Sequence, residues 1–188
     1  MLDIGCGHGK LTNHFSSKGK VISIDISREM LKIAKSENSN AMYIQCDAHH
    51  LCFKDQSVTA AVSSRTLMHL SNIKKFIKEI SRVSSCDIAF DFPNFFSFSL
   101  IERIGRKIAM FLPYSQEPYK GFMPYKIKKV LRDEHFKNIL ISKHFFCPIA
   151  LHRLINNPRI SKNIERFFVK IGLLKLISTY VFLYAKKN

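Results

Sequence analysis

Apolar residues along this chain recur first with the period of a strand, then with that of a helix, and the alternation repeats. Met1, Leu2 and Ile4 lead into glycines at 5, 7 and 9. Leu11, His14 and Phe15 then follow at helical spacing over 10–17, with Gly19 as a stop. Val21, Ile22 and Ile24 predict a second strand over 20–25. Ser27 is placed to cap a helix reaching about Asn38 with Met30, Leu31 and Ala34 inward. Further strands are expected over 41–45 and 58–63. Ser71 is then expected to cap a helix with Ile73, Phe76, Ile77 and Ile80 on one face, before a strand over 87–92 that Pro93 ends. Strands separated by helical periods predict an α/β fold, a doubly wound and mostly parallel sheet covered on both faces. Ligands of such sheets lie outside the carboxyl ends of the strands. Asp3, Asp25, Asp47 and Asp91 all fall at that edge.

The second half reads less regularly. Ile101, Ile104, Ile108, Phe111 and Leu112 make one stripe over 95–112, with Arg103, Arg106 and Lys107 on the far side and Phe95, Phe96 and Phe98 ahead of it. Such a segment packs as a lid on the core or lies in a membrane interface. Pro124 opens another helix with Ile127, Val130 and Leu131 inward, leading to a sixth strand near 138–142. Residues 144–157 read as an insertion. A helical period returns at Ile164, Phe167, Phe168, Ile171 and Leu174, then a last strand over 179–185, leaving Lys186, Lys187 and Asn188 as a solvated tail.

Length and charge narrow the picture. At 188 residues with 46% hydrophobic composition, one domain (1–188) with a sizeable core is expected. Its net charge of +16 is one-sided: residues 1–94 carry 12 Lys/Arg against 9 Asp/Glu, and residues 95–188 carry 18 against 5. The first half is therefore read as the cofactor half, and the second as a basic, Phe-rich substrate side that attracts anions or anionic surfaces. Five cysteines, an odd number without a signal-like start, point to reduced thiols and a cytoplasmic location, and the basic, Phe-rich half adds an expected peripheral contact at the inner face of the membrane. No apolar run approaches the ~18–20 residues needed to span a bilayer.

The chemistry concentrates at Asp3-Ile4-Gly5-Cys6-Gly7-His8-Gly9. Alternate glycines permit positive φ and let a ligand press against main chain, and the following helix offers its first N–H groups. A dinucleotide fingerprint would need Gly or Ala where Lys10 stands, and Asp3 would repel a pyrophosphate. An acid here suits an ammonium. Asp25, ending the second strand, can accept both hydroxyls of a ribose. Ammonium at one end and ribose at the other describe S-adenosylmethionine. Cys46-x-x-His49-His50-x-Cys52 has spacing that suits zinc, but no second Cys/His pair lies nearby and no metal is expected.

These motifs resemble class I S-adenosylmethionine-dependent methyltransferases of the small-molecule, type 11 branch. D-x-G-x-G-x-G stands complete as Asp3, Gly5, Gly7 and Gly9, with Cys6 inside it. Asp25 matches the second-strand acid, with Ile26 as the apolar neighbour of the adenine. Gln45–Phe53 is similar to D-A-x-x-L-P-F, which carries over Asp47 as partner of the adenine amino group and Ala48 beside it, with Cys52 where proline is common. Val58–Arg65 resembles the fourth strand and its loop, which adds Ser63 to the cofactor residues. The resemblance implies a Rossmann-like sheet of about seven strands with the last antiparallel. It also implies one or two helices ahead of the first strand; none precedes Met1 here, so this form is expected to bind cofactor weakly.

Transfer to a hydroxyl, acidic carbon or protonated nitrogen needs a base. The candidates are His69, after the fourth strand, and Asp91 at the fifth, while Arg65 is a candidate for holding an anionic acceptor. The leading expectation is methyl transfer to a small or lipid-like, anionic acceptor. The alternatives are an RNA methyltransferase and a non-catalytic scaffold. For RNA, no N-P-P-Y-type sequence follows the fourth strand, and Asp91-Phe92-Pro93-Asn94 follows the fifth instead, so nucleic acid is the less favoured partner.

Overall fold

The computed structural model describes residues 1–95, 120–144, 156–170, 172, 178 and 180–187. By contact the chain divides into two units. One comprises Met1–Asp91, Lys128–Leu140 and Leu183–Asn188; the other comprises Phe92–Ile127 and Ile141–Phe182. The first unit takes in later segments because the last two strands return to its sheet. Expectations that fall on residues 96–119 and 145–155, the Phe-rich helix and the insertion, lie outside the described residues.

The sheet has seven strands: β1 (Leu2–Ile4), β2 (Ile22–Asp25), β3 (Met42–Gln45), β4 (Val58–Ser63), β5 (Ser84–Pro93), β6 (Phe136–His144) and β7 (Tyr180–Lys187). Their order is β3-β2-β1-β4-β5-β7-β6. The pairs β1–β2, β1–β4, β2–β3 and β4–β5 are parallel, and the antiparallel strands are terminal. Strand order reverses between β1 and β4, the crevice where ligands of such sheets bind.

Helices α1 (Lys10–Ser16), α2 (Arg28–Glu37), α3 (Ile73–Val83), α4 (Pro124–Asp133) and α5 (Pro158–Lys170) join the strands, with a 3-10 turn at Leu67–His69. Amphipathic α3 buries Phe76, Ile77, Ile80 and Val83, and Phe76 meets Phe90 edge-on. Burying side chains of this kind contributes roughly 1.5–3 kcal/mol each. Ser27 caps α2 by accepting from the Met30 N–H, as expected. α3, however, is capped by Asn72, not Ser71: the Asn72 Oδ1 accepts from the Lys75 N–H at 3.1 Å. Two adjacent polar residues offer equal capping chemistry, and the turn places only the second at the N-cap.

β5 begins at Ser84, three residues before the expected Asp87, because Ser84 Oγ bonds the Asp87 carbonyl and the polar start is absorbed into the ladder. The terminal lysines are not a solvated tail. β7 runs through Lys187, whose ammonium donates to the carbonyls of Ser81 and Ser84; burial pushes its pKa down. α5 begins at Pro158, earlier than the apolar stripe suggested, and none of its residues is buried.

In the second unit, Phe122 bridges to Asn94, its N–H donating to the Pro93 carbonyl at 2.9 Å, and its ring meets Phe92 edge-on. Asn94 Nδ2 lies 3.2 Å from Ser178 Oγ. No described helix is long and apolar enough to cross a membrane.

Candidate functional site

Three glycines at positive φ (Gly5 70°, Gly7 52°, Gly9 79°) turn the chain from β1 into α1. Each solves a different steric problem. A Cβ on Gly5 would lie 2.2 Å from Thr66 Oγ1, and one on Gly9 would lie 3.1 Å from the Ala34 Cβ, so both are pressed by protein. A Cβ on Gly7 would meet nothing within 4 Å. That is the open side of the bend, where a ligand can lie against main chain.

Most of the bend's own N–H groups are used internally. Gly5 and Cys6 both donate to the Ile24 carbonyl at 2.8 and 3.0 Å, and Gly9 donates to Cys6. Gly7 donates to Asp25 Oδ2 at 2.9 Å, while Asp25 Oδ1 accepts from the Ser27 N–H at 2.9 Å. Asp25 thus fastens the bend to the end of β2 and the start of α2. Each of its oxygens retains a lone pair for a hydroxyl.

Asp3 lies beneath the bend, only 1% exposed. Its Oδ2 accepts from the Thr12 hydroxyl at 2.7 Å, and Thr12 lies 2.9 Å from Ser23 Oγ. Burial pushes its pKa up from 3.8 to about 6, against the lowering pull of the Thr12 hydrogen bonds. A carboxyl whose pKa is higher folded than unfolded favours folding below the unfolded value, and that contribution is lost as pH rises through the folded one. The difference corresponds to about 3 kcal/mol. Asp3→Asn keeps an acceptor for Thr12 and is expected to flatten the loss of stability between about pH 4 and pH 7, read by urea denaturation at both ends. Equal pH slopes in wild type and variant would remove Asp3 as the source. Burial, Asp3 and Asp25 together push the Cys6 thiol up to about 12, so it stays protonated at neutral pH.

The loop after β3 presents Asp47 half-exposed, with Ala48 buried. Asp47 Oδ1 accepts from the His49 N–H at 2.8 Å and faces His49 Nδ1 at 2.9 Å. These contacts, the backbone N–H foremost, hold its pKa below the usual carboxylate range. His49 Nε2 accepts from the Asn72 N–H, which places the ring proton on Nδ1 and ties this loop to α3. Arg82 secures the far end, donating to the carbonyls of Leu51 and Phe53 and to Glu79 and Asp55. Ile26, 69% exposed, stands at the end of β2.

Past β4, Ser63 is buried and its hydroxyl donates to the Ile4 carbonyl at 2.9 Å, tying β4 to β1. Asp91, 4% exposed, accepts from Ser64 Oγ and from the Arg65 N–H, and burial raises its pKa. Arg65 holds a positive φ of 56° with its side chain exposed, and His69 is exposed on the 3-10 turn. The structure therefore brings Asp3, Gly5, Cys6, Gly7, Gly9 and Asp25 into one bend and joins Asp91 to Arg65. Thr12, His49, Thr66 and Arg82, which brace these groups, were missed from sequence.

A methyltransferase-domain family model matches residues 2–86. Malonyl-[acyl-carrier protein] O-methyltransferase of Hamiltonella defensa subsp. Acyrthosiphon pisum is 34% identical over 85 residues, 45% of this chain and 33% of that protein. Demethylmenaquinone methyltransferase of Lactobacillus johnsonii is 24% identical over 178 residues, 80% of this chain and 73% of that one. Among solved structures, magnesium protoporphyrin IX methyltransferase from Synechocystis, with bound SAH, superposes with TM-score 0.68 at 16% identity, covering all of this chain and 73% of its own. The match to the Hamiltonella protein spans about a third of that relative's length. The bend, the strand order and the matched segment agree: residues 2–86 are similar to a methyltransferase domain, on the fold shared with solved S-adenosylmethionine-dependent methyltransferases.

Proposed function

We propose that this chain binds S-adenosylmethionine and directs methyl transfer to a small or lipid-like acceptor bearing negative charge. The observation that carries it is the bend at Gly7, open where a side chain would sit and fastened by Asp25. The residues present fit the cofactor: Asp25 for the ribose hydroxyls, Asp3 with Cys6 and Gly9 at the amino-acid end, and Ile26, Asp47 and Ala48 at the adenine. Ser63 acts one step back, by holding β4 against β1. When bound, the cofactor supplies a methyl group already activated on a sulfonium.

Alignment is then the main task left to the protein, and holding reactants in attack geometry supplies ~7–11 kcal/mol of a barrier. His69, exposed beside the β4 crevice, is assigned the removal of the acceptor proton. Asp91 is the second such group, a buried carboxyl whose pKa desolvation raises above the usual carboxylate range. Arg65 is assigned an anionic acceptor group, its backbone pinned by Asp91.

The acceptor class rests on charge and on relatives. The +16 total is concentrated after residue 94, and α5 exposes Ile160, Phe167 and Val169 beside Arg159, Lys162, Arg166 and Lys170. That pairing of apolar and cationic groups suits an anionic bilayer surface, and peripheral contact at the inner face of a membrane follows. Two relatives named above act on a demethylmenaquinone and on malonyl-[acyl-carrier protein].

Incubating the full chain with methyl-labelled cofactor and fractionated cell extract is expected to place label in the lipid or small-molecule fraction. Label confined to RNA, or cofactor binding with no label anywhere, would overturn this reading.

A further inference from the structure

The loop between β3 and β4 carries two thiols of opposite exposure. Cys46 is 9% exposed, whereas Cys52 is open to solvent. The Cys52 N–H donates to Cys46 Sγ at 3.2 Å. The same sulfur faces the carbonyl oxygens of His50 at 3.4 Å and Asp47 at 3.7 Å. The intervening residues are thus already curled around the Cys46 sulfur. Since an amide nitrogen lies ~1.46 Å from its own Cα, that sulfur is within about 4.7 Å of the Cys52 Cα. Disulfides need Cβ atoms roughly 3.5–4.5 Å apart, a spacing set by the backbone, and the Cys52 amide already lies 3.2 Å from Cys46 Sγ, so small local adjustment of this curled loop with rotation of the two sulfurs closes the bond.

The surroundings hold the pair in place. Leu51 and Phe53, the neighbours of Cys52, both give their carbonyls to the Arg82 guanidinium, and the Leu51 N–H donates to Glu79 at 2.7 Å. Cys52 is therefore presented to solvent from a braced segment. Cys46 is shielded from direct attack by its burial.

We propose that Cys46 and Cys52 form a reversible oxidation site whose partner is a low-molecular-weight disulfide such as glutathione disulfide. The Cys52 thiolate attacks one sulfur of the small disulfide, whose S–S bond breaks and releases one small thiolate. A mixed disulfide remains on Cys52. Cys46 then loses its proton to solvent and attacks Cys52 Sγ; the protein S–S bond forms and the second small thiolate leaves. Two protein thiols are oxidised, and one small disulfide is reduced to two thiols. Burial raises the Cys46 thiol to about 11, which fixes the order, with Cys52 entering first and Cys46 resolving. The ring so closed contains Asp47 and Ala48. The oxidation chemistry itself does not depend on methyl transfer.

The test treats the folded full chain with glutathione disulfide, blocks remaining thiols by alkylation, and maps peptides by mass spectrometry. A peptide linked through Cys46 and Cys52, lighter by two hydrogens and released by dithiothreitol, is expected. Cys46→Ser should instead stop at a stable glutathione adduct on Cys52, and Cys52→Ser should leave Cys46 unmodified. Both variants are checked for a melting temperature near that of the wild type. A wild-type chain that accumulates the Cys52 adduct with Cys46 still alkylatable would overturn the proposal, as would linkage of either thiol to another cysteine.

Discussion

Gly5→Ala is expected to destabilise the fold by about 3 kcal/mol or more and to abolish cofactor binding with it. Two costs add. The residue sits at φ 70°, where a Cβ strains the backbone by roughly 1–2 kcal/mol. That Cβ would also meet Thr66 at 2.2 Å from Oγ1, 2.5 Å from Cγ2 and 2.9 Å from Cβ, an overpacking of the kind that costs roughly 1–3 kcal/mol. Thr66 has little room to retreat: its hydroxyl lies against the carbonyls of Ile4 and Ser64 at 3.2 Å, and the next residue, Leu67, is fully buried. Gly7→Ala is the contrasting case. It carries the backbone strain alone, since nothing lies within 4 Å, so it should fold with a loss of about 1 kcal/mol while its methyl group occupies the ligand's side of the bend. Urea denaturation of both variants checks the difference. Partial recovery of Gly5→Ala by Thr66→Ala would confirm which contact is responsible, and a Gly5→Ala variant as stable as wild type would remove the steric account.

The contrast between these glycines shows what the sequence could and could not disclose. Spacing alone places all three at a strand-to-helix turn, because only glycine accepts such φ values without strain. It does not say that Gly5 faces Thr66, 61 positions on, that Gly9 faces Ala34, or that Gly7 faces open space. The same division holds for the acids. Alternating periods put Asp3, Asp25, Asp47 and Asp91 at one edge of a parallel sheet; in the structure Asp25 ends β2, Asp47 follows β3, Asp91 lies just past the β4 pairing, and Asp3 sits mid-strand in β1 beneath the bend. Their partners have no periodic signature. Thr12 under Asp3, the Ser27 and Gly7 amides on Asp25 and the Arg65 amide on Asp91 join residues whose pairing depends on the completed fold.

Boundaries went astray where local chemistry was degenerate. Ser71 and Asn72 cap equally well on paper, and polar Ser84–Cys86 lies outside the strand expected over 87–92 until β4 is present to pair with it. Lys187 reads as a free tail because its acceptors, the Ser81 and Ser84 carbonyls, lie about a hundred residues earlier in the chain. The amphipathic stripe of α3 needed no such help, since its apolar spacing alone identified Phe76, Ile77 and Ile80 as its buried face.

Asp25→Ala is expected to weaken S-adenosylmethionine binding by ~1–3 kcal/mol, the range for a lost charged hydrogen bond. Its carboxylate carries two loads. One is structural: Oδ2 holds the Gly7 amide and Oδ1 the Ser27 amide, both at 2.9 Å. Truncation leaves both amides to water and frees the bend from the start of α2. The other is the pair of ribose hydroxyls assigned to the remaining lone pairs. Asp25→Asn separates them. The amide retains one oxygen acceptor of nearly the same shape, so it can keep one backbone bond while presenting an NH2 group to the other amide. It should therefore fold better than Asp25→Ala and still bind cofactor poorly. Gly5 and Cys6 remain tied to the Ile24 carbonyl in both variants, so the bend should persist and the loss should appear in affinity more than in melting temperature. Titration calorimetry with S-adenosylmethionine, alongside thermal denaturation without it, reads the two loads apart. An affinity unchanged in Asp25→Ala would end the assignment of this carboxylate to the ribose, whatever the melting temperature did.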